Sequence, residues 1–188
     1  MSFLYPMRPS VPRMLPATPD DYLVQPKYDG WNVVVHAGHI WTRHGNDITS
    51  WCLNWGFDLA PQYPVNGELL ARTGDVTAER ADIQGIRNGR CRPYLLAFDL
   101  MLEGPPIEQR LSLLRALAAG NLAPLPTTDP SQTGATWHEV NTWLAQARHC
   151  GKEGLILKKK GSLYSTSRET SIVTADWLKL KVPVAITC

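Results

Sequence analysis

Several short segments of the chain carry apolar residues at the spacing that is typical of strands. Residues 31–36 and 39–43 are rich in Trp, Val and Ile on either side of Ala37-Gly38, which predicts a β-hairpin. Residues 94–102 form an apolar run that predicts a buried strand. The first part of the chain is therefore predicted to build a sheet from sequence neighbours.

Near the C-terminal end, residues 177–182 alternate between apolar and polar side chains. Strand spacing places Leu178, Leu180 and Val182 on one face. The opposite face then carries the remaining three side chains, which are Trp177, Lys179 and Lys181. In 153–157 the same period places Glu153 on one face with Leu155 and Leu157. We therefore predict that Glu153 lies at the entry of this strand, at the rim of a pocket.

Three segments have helical spacing instead. Apolar residues from Ile107 onward recur at helical intervals and form one stripe: Ile107, Leu111, Leu114 and Ala118. Residues 136–139 fit a capping box, which predicts a second helix that begins there. A third, weaker helix is predicted over 77–87. Strands, then helices, then strands predict an α+β fold, with mostly antiparallel sheets flanked by helices around a cleft.

Length and composition limit the class of protein. A chain of 188 residues can bury a full core, so one domain over 1–188 is expected. The net charge of +2 does not indicate a nucleic-acid partner, and a local basic face would be needed for one. The four cysteines have no metal-site spacing, which favours reduced thiols and a cytoplasmic location. Neither a signal peptide nor a membrane span is predicted.

Five short blocks occur in an order that makes chemical sense around a nucleotide phosphate. The blocks are Lys27-Tyr28-Asp29-Gly30, Asn66-Gly67-Glu68-Leu69, Phe98-Asp99-Leu100-Met101, Glu153-Gly154-Leu155-Ile156-Leu157-Lys158 and Trp177-Leu178-Lys179-Leu180-Lys181. A lysine can attack the α-phosphate of a nucleoside triphosphate and hold the nucleotide covalently. One such block alone says little about function, but five in this order over 27–181 strongly indicate a site that handles a nucleotide phosphate.

This order resembles the covalent nucleotidyltransferases, which include ATP-dependent DNA ligases, RNA ligases and capping guanylyltransferases. The first block is similar to their motif I, with Lys27 as nucleophile. Two further segments, 42–49 and 105–111, resemble DNA ligases more than capping enzymes. The resemblance implies the ligase nucleotidyltransferase (ATP-grasp-like) fold around a nucleotide cleft. It also implies an adenylation domain that uses ATP with Mg²⁺ and carries AMP covalently on Lys27.

The resemblance also implies roles for the other candidate residues. Lys179 and Lys181 would contact the α-phosphate and, by their charge, help Lys27 reach the neutral form that attacks. Glu68 and Glu153 are the candidate metal ligands, since Mg²⁺ takes one or two carboxylates with phosphate oxygens and water. The remaining nucleotide contacts are Phe98 stacking on the base, Gln25 reading it, Glu68 at the ribose, and Arg43 at the ribose or at the 5′-phosphate of a nick.

Three features depart from the family pattern. Asn32 stands where the family has Arg, and Asn66 stands where it has Asp. The chain also ends at Cys188, whereas an OB-fold domain follows Lys181 in the family. We therefore expect a domain without the OB fold, and a partner that supplies it is one expectation.

The leading hypothesis is a DNA ligase catalytic domain, monomeric, cytoplasmic and bacterial or phage-like, that acts on nicked double-stranded DNA and has no membrane partner. An RNA ligase or capping-type enzyme is the first alternative. The second is a catalytically weak module that binds nicks or ends. The basic run Lys158 to Lys160, together with arginines at 87, 90 and 92, predicts a face for the DNA backbone.

Overall fold

The fold is that of a mixed α+β protein, seen here in a computed structural model. It describes residues 3–55, 62–73, 76–78, 82–117 and 122–181. Ten strands in chain order are β1 Arg8–Ser10, β2 Tyr22–Lys27, β3 Trp31–His36, β4 His39–Thr42, β5 Val65–Thr73, β6 Val76–Ala78, β7 Arg92–Leu100, β8 Leu122–Pro124, β9 Gly154–Lys159 and β10 Val173–Leu180 in the described residues. The described helices are α1 Thr49–Cys52, α2 Ile83–Arg87, α3 Ile107–Leu117, α4 Pro130–Thr133 and α5 Trp137–His149, with a 3-10 turn at Leu53–Trp55.

The chain divides into two compact units, which are made of discontinuous segments. The larger unit contains 1–7, 29–125 and 163–172, and the smaller unit contains 8–28, 126–162 and 173–188. The chain passes from the smaller to the larger unit between Tyr28 and Asp29. The single domain expected from the sequence stays a prediction.

The smaller unit is a four-stranded sheet with one helix-covered face. The strand order is β1-β10-β9-β2. The covering helix, α5, begins at the predicted capping box: the Thr136 side chain accepts from the His138 N–H, and Glu139 accepts from the Thr136 N–H at 2.9 Å. One face of the sheet and the apolar stripe of α5 form a buried core: Tyr22, Val24, Trp137, Val140, Leu144, Leu155, Leu157, Leu178 and Leu180.

The larger unit contains a sheet in the order β4-β3-β5-β7-β8, with β6 paired to β5. The hairpin of β3 and β4 turns at Ala37 and Gly38, which have φ of 50° and 85°. Helix α3 lies in the same unit and buries Ile107, Leu111 and Leu114. The described strand pairs are antiparallel except β1 with β10 and β7 with β8, which confirms the predicted fold class.

Most predicted elements are confirmed, and one is wrong in part. The helix predicted over 77–87 exists only as α2, from Ile83. Residues 76–78 instead form β6, because they pair with the end of β5 as an antiparallel hairpin. Ala118, the last predicted member of the α3 stripe, lies outside the described residues.

Two further expectations concern cysteines and membranes. Cys52, Cys91 and Cys150 are free thiols, and Cys188 lies outside the described residues. Burial raises the pKa of Cys52 to about 12, so this thiol stays protonated and inert. In the described part of the chain, no helix is both long and apolar enough to cross a membrane.

Candidate active site

Lys27 is the last residue of β2, on the face of the smaller sheet that α5 does not cover. The β2 residues that alternate with it, Tyr22 and Val24, pack into the core with α5. Gln25 and Lys27 therefore lie on the opposite face. Across the neighbouring strand, Lys27 pairs in register with Gly154 of β9.

β10 brings two further lysines to this uncovered face. Lys179 pairs with Ile156 of β9, and Ile156 pairs on its other side with Gln25. The three strands thus align Gln25 and Lys179 across one face. Lys181 follows the strand immediately and is exposed. The predicted alternation is confirmed for the described residues: Leu178 and Leu180 are in the core, and Val182 lies outside the described residues.

Glu153 joins two of these lysines. One carboxylate oxygen accepts from the Lys27 ammonium, and the other accepts from the Lys181 ammonium. The Glu153 backbone N–H also donates to the Lys27 carbonyl at 2.7 Å. Backbone and side chain therefore both fix Glu153 to the end of β2, and the motif I, IV and V residues meet as the sequence predicts.

Gly154 explains why Glu153 reaches this position. Simple alternation had grouped Glu153 with Leu155 and Leu157, which are buried in the core. Gly154 has φ of 152°, so the alternation is interrupted at the first residue of β9. A Cβ at Gly154 would lie 2.0 Å from the Leu180 carbonyl oxygen. Only glycine allows the backbones of β9 and β10 to approach this closely.

The charges around Glu153 determine its ionisation. Burial by itself would raise the pKa of this carboxyl, but hydrogen bonds and charge from Lys181 and Lys27 outweigh burial and lower the pKa below its usual value. The carboxylate is therefore ionised at neutral pH. Lys27, Lys179 and Lys181 together with Glu153 leave an excess of two positive charges in this group of four side chains. Such an excess attracts a polyphosphate.

Lys179 differs from the other two lysines. It makes no ion pair among the residues that the structure describes, and it is half-buried on the same face as Lys27. An ammonium group in this setting can donate to phosphate oxygens without first leaving a carboxylate. The geometry is compatible with the phosphate contact predicted for it.

The basic run that follows motif IV does not form a single basic face. Lys158 is 1% exposed and its ammonium lies 4.1 Å from the centroid of the Trp177 ring. Lys160 pairs with Asp129 at 2.6 Å and donates to Ser131 at 2.7 Å. Two of the three lysines therefore have protein partners, and only Lys159 of the run is exposed without an ion pair among the described residues. The predicted DNA face loses most of its contribution from this run.

Gln25 also has a protein partner. The residue is 1% exposed, and its side-chain nitrogen donates to the Thr127 hydroxyl at 2.9 Å. This bond fixes the direction of the amide on the uncovered face. The base-reading role stays a prediction, which depends on the ability of an amide both to donate and to accept.

The larger unit carries the predicted base and ribose contacts. Phe98 is half-buried rather than buried in the core. The register of β5 with β7 shifts between Gly67 and Asn66, so Phe98 lies at a β-bulge. Bulges commonly redirect a side chain next to a binding site.

A buried ion pair follows Phe98 directly. Asp99 and Arg110 are both 0% exposed and form two hydrogen bonds, at 2.8 and 3.2 Å. Arg110 also donates to the Pro105 carbonyl at 2.8 Å. The pair attaches α3 to β7 and so fixes the strand that carries Phe98. The sequence placed the arginine at the helix start, but its partner was not predicted.

Glu68 lies on β5 in a polar part of the larger sheet. It is half-buried and pairs in register with Asn32 on β3 and Leu96 on β7. A Cβ on Gly30 would come within 3.0 Å of the Glu68 Cγ and 2.4 Å of the Leu69 carbonyl oxygen. The close approach that Gly30 allows within its unit is therefore to β5.

Arg43 follows β4 and is exposed. Its Nε lies 2.9 Å from the Nε2 of His44, and its backbone N–H donates to the Asn32 carbonyl at 2.9 Å. The backbone position is therefore fixed against β3. The contact of its guanidinium with a ribose or a 5′-phosphate stays a prediction.

A magnesium ion implied by the resemblance fits one of these carboxylates. Among the described residues, no group of three or more His, Cys, Asp or Glu side chains could hold a metal ion by itself. Mg²⁺ needs only one or two carboxylates when phosphate oxygens and water complete its shell. Glu153 is ionised and its side chain is 25% exposed. It therefore fits as one ligand of a hydrated ion held mainly by a nucleotide.

Comparisons with known proteins identify the fold. No protein-family model matches the sequence, and no curated protein matches it. Solved structures do match. A structure of Lig E DNA ligases, described as binding DNA with a minimal scaffold, has a TM-score of 0.67 and 22% identity, and covers 94% of this chain and 68% of its own. A mycobacterial DNA ligase D complexed with ATP has a TM-score of 0.66 and 22% identity, with 94% and 59% covered.

RNA ligases share the fold as well. An archaeal ATP-dependent RNA ligase has a TM-score of 0.53 and 20% identity, and covers 86% of this chain and 43% of its own. This chain therefore spans between about two fifths and two thirds of the length of these three structures. At such identities the likeness establishes the fold of ATP-dependent ligase catalytic domains, and the activity has to be argued from the site.

Proposed function

We propose that this chain is the adenylation domain of an ATP-dependent DNA ligase. The observation that carries the proposal is the group formed by Lys27, Glu153 and Lys181 on the uncovered face of the smaller sheet. These residues belong to three sequence blocks far apart in the chain, and they meet where a nucleophile needs a positioned partner and nearby cations. The ligase fold supports the same conclusion.

The first step joins Lys27 to AMP. The neutral amine of Lys27 attacks the α-phosphorus of ATP, so an N–P bond forms, the bond to the β-phosphate oxygen breaks, and pyrophosphate leaves. The Lys27 ammonium gives one proton to solvent to become the neutral amine, and the nitrogen gives up a second proton once the N–P bond has formed. Because Lys27 is ion-paired with Glu153, it has to leave this pair before it reacts. The arriving phosphates, with Lys179 and Lys181 as donors, compensate the lost contact.

The next two steps consume the adenylate. An oxygen of the 5′-phosphate at a nick attacks the AMP phosphorus and releases Lys27. The 3′-hydroxyl then attacks the 5′-phosphorus, the phosphodiester bond forms, and AMP leaves. Both transfers depend on positioning and on charge stabilisation, which the excess of positive charge on this face provides.

Other residues complete the proposal. Glu153 is the described carboxylate that fits Mg²⁺, and Glu68 remains the second candidate. When bound, the ion would neutralise phosphate charge. Phe98 would stack on the base, Glu68 and Arg43 would contact the ribose, and Gln25 would read the base edge. These roles rest on the motif resemblance, and the half-buried position of Phe98 is compatible with stacking.

The experiment follows label from ATP into product. The protein is incubated with α-labelled ATP or GTP, and the adduct is then chased with nicked DNA or with a nicked RNA duplex. We expect an adduct with ATP, loss of the adduct in Lys27→Ala, and transfer to nicked DNA. Transfer confined to RNA would favour the RNA-joining alternative, which the shared fold of the archaeal RNA ligase supports. Nick binding without any adduct would favour a binding module.

A further inference from the structure

The turn between β3 and β4 brings two histidines together. His36 ends β3, His39 begins β4, and the two residues are partners in the antiparallel register. Directly opposed side chains lie on one face of a sheet, with their Cβ atoms about 5 Å apart. Only Ala37 and Gly38 connect the strands, and both have a left-handed backbone conformation. The tight turn therefore sets the spacing of the two imidazole rings.

The ring of His39 is oriented by its neighbours. Its Nδ1 lies 2.9 Å from the Asp47 Oδ2, and its ring stacks on Trp41 with centroids 5.0 Å apart and planes 22° apart. The other carboxylate oxygen of Asp47 accepts from the Thr49 N–H at 2.8 Å. Both oxygens of Asp47 thus have a partner, so the carboxylate is held in place behind the His39 ring.

The ionisation of Asp47 determines which nitrogen of His39 carries the proton. Burial by itself would raise the pKa of Asp47, but hydrogen bonds from Thr49 and His39 outweigh burial and lower it. An ionised carboxylate only accepts, so the His39 Nδ1 has to donate. In the neutral ring the lone pair is then on Nε2. Histidines that bind metal ions in proteins show the same arrangement, with the second ring N–H donated to a carboxylate.

His36 offers a second nitrogen from the opposed position. Its Nδ1 is buried, and no hydrogen-bond partner for this atom occurs among the described residues. The residue as a whole is half-buried, which leaves Nε2 as the nitrogen that can bind a ligand. A metal ion about 2.0–2.1 Å from each Nε2 would bridge β3 and β4, and it would hold the two nitrogens within about 4 Å of each other.

The chemistry of these donors selects the class of ion. Imidazole nitrogens suit Zn²⁺, Cu²⁺ and Ni²⁺, whereas Mg²⁺ takes oxygen ligands. Within the described part of the chain, no group of three or more His, Cys, Asp or Glu side chains could hold a metal ion. The hairpin therefore supplies two ligands, and water would complete the tetrahedral shell of a zinc ion.

We infer that His36 and His39 are the ligands of a Zn²⁺ site at the end of the β3–β4 hairpin, and that Asp47 is a positioning residue that orients His39. All three residues belong to the larger unit. The inference does not rest on the proposed function, because zinc binding at this hairpin needs neither ATP nor DNA. Since the ion would bind only the folded hairpin, it should also raise the Tm of the protein.

The test titrates the untagged, nucleotide-free protein with Zn²⁺ in a calorimeter. We expect one ion per chain, with an affinity that falls at least about tenfold in His36→Ala and in His39→Ala. Each variant removes a ligand, and even the hydrogen-bond partner of a ligand is worth about 10–100-fold in affinity. His138→Ala, at an exposed histidine of α5, is the matched control and should keep the wild-type affinity. His39 is itself exposed, so His39→Ala serves if His36→Ala does not fold.

The orienting role of Asp47 has its own variant. Asp47→Ala removes the acceptor of the His39 Nδ1, and the affinity should fall about tenfold. NMR of the ring nitrogens identifies the ligand atoms: Zn²⁺ should shift the Nε2 resonances of His36 and His39 while the His39 Nδ1 keeps its proton. An unchanged affinity in Asp47→Ala overturns its positioning role.

Two results overturn the zinc site itself. One is a wild type that does not bind Zn²⁺. The other is equal affinity in the wild type and the two histidine variants, as ligation by the free thiols would give. Lysine adenylation is not measured in these titrations, so either result leaves the proposed function unaffected.

Discussion

Glu153 holds two ammonium groups at once, because each of its carboxylate oxygens accepts from a different lysine. Without the negative charge, Lys27 and Lys181 would repel each other and would lose their common position. Glu153→Gln should therefore slow lysine adenylation at least ~10-fold, or ~1.4 kcal/mol of transition-state stabilisation. Single-turnover rates check this. Glu169→Gln, at an exposed position, is the control. Equal rates in the two variants would show that Glu153 has no role in adenylation.

The same carboxylate predicts a dependence of stability on pH. Its pKa is lowered in the folded protein, so its contribution is fully present above the pKa of an unfolded glutamate, ~4.3. That contribution is lost as the pH falls through the folded-state pKa. The difference in Tm between wild type and Glu153→Gln should therefore be larger near pH ~7 than near pH ~3. An equal difference at both values would show that the ion pairs do not stabilise the fold.

At this scale the sequence predicted which motif residues belong together better than it predicted their hydrogen-bond partners. The order of the motifs was enough to bring Lys27, Glu153 and Lys181 into one prediction. The partners of Asn66 and Arg110 were not predicted, since Tyr164 is 98 residues from Asn66 and no local pattern links them. Buried hydrogen bonds between distant segments depend on the packed fold, and a single sequence does not encode them as a periodic signal.

Gly154 is the element-scale feature that the site requires. A Cβ there would lie 2.0 Å from the Leu180 carbonyl oxygen, so β9 and β10 would have to separate. We expect Gly154→Ala to lower the free energy of unfolding by at least ~3 kcal/mol, from clash and backbone strain together.

The control for this change separates strain from clash. Gly134 has φ of 64°, and apart from its immediate neighbours along the chain no described heavy atom lies within 4 Å of the place that an alanine Cβ would occupy, so Gly134→Ala should cost only ~1 kcal/mol. Urea unfolding of both variants makes the comparison. Similar losses in the two would mean that the close approach of β9 and β10 is not what requires a glycine.

Helix α5 covers the face of the smaller sheet opposite the lysines. Removing the capping hydroxyl in Thr136→Ala should cost ~1 kcal/mol of stability, because the first helical turn loses an acceptor. The adenylation rate of the folded protein should not change, since the site is on the other face. Thr142→Ala, exposed on the same helix, should change stability by less than ~0.5 kcal/mol. A loss of rate in Thr136→Ala would contradict the separation of the two faces.

Elements were predictable where one pattern dominated. The hairpin of β3 and β4 and the capping box of α5 are confirmed because turn and capping residues carry their own local signals. The helix over 77–87 is wrong at its start because pairing of 76–78 with β5 overrides local propensity. Simple alternation placed Glu153 on the face of Leu155 and Leu157, and it failed because Gly154 interrupts the alternation.

At the scale of the molecule, the shared fold and the order of the motifs both support the proposed ligase adenylation domain. Solved ligases with 22% identity share the fold over 94% of this chain. Identity at this level does not determine the substrate, so the choice between DNA and RNA stays a prediction. The modest net charge of +2 adds little, and the polyphosphate attraction comes from the local excess of lysine on one sheet.

The proposed function depends on covalent attachment of AMP to Lys27, which intact-mass spectrometry detects. The protein is incubated with ATP and Mg²⁺, and its mass is compared before and after, with peptide mapping of the modified residue. We predict a gain of one adenylate on Lys27, reversed by pyrophosphate and absent in Lys27→Ala. An unchanged mass in the wild type, or an adenylate that persists in Lys27→Ala, would contradict it.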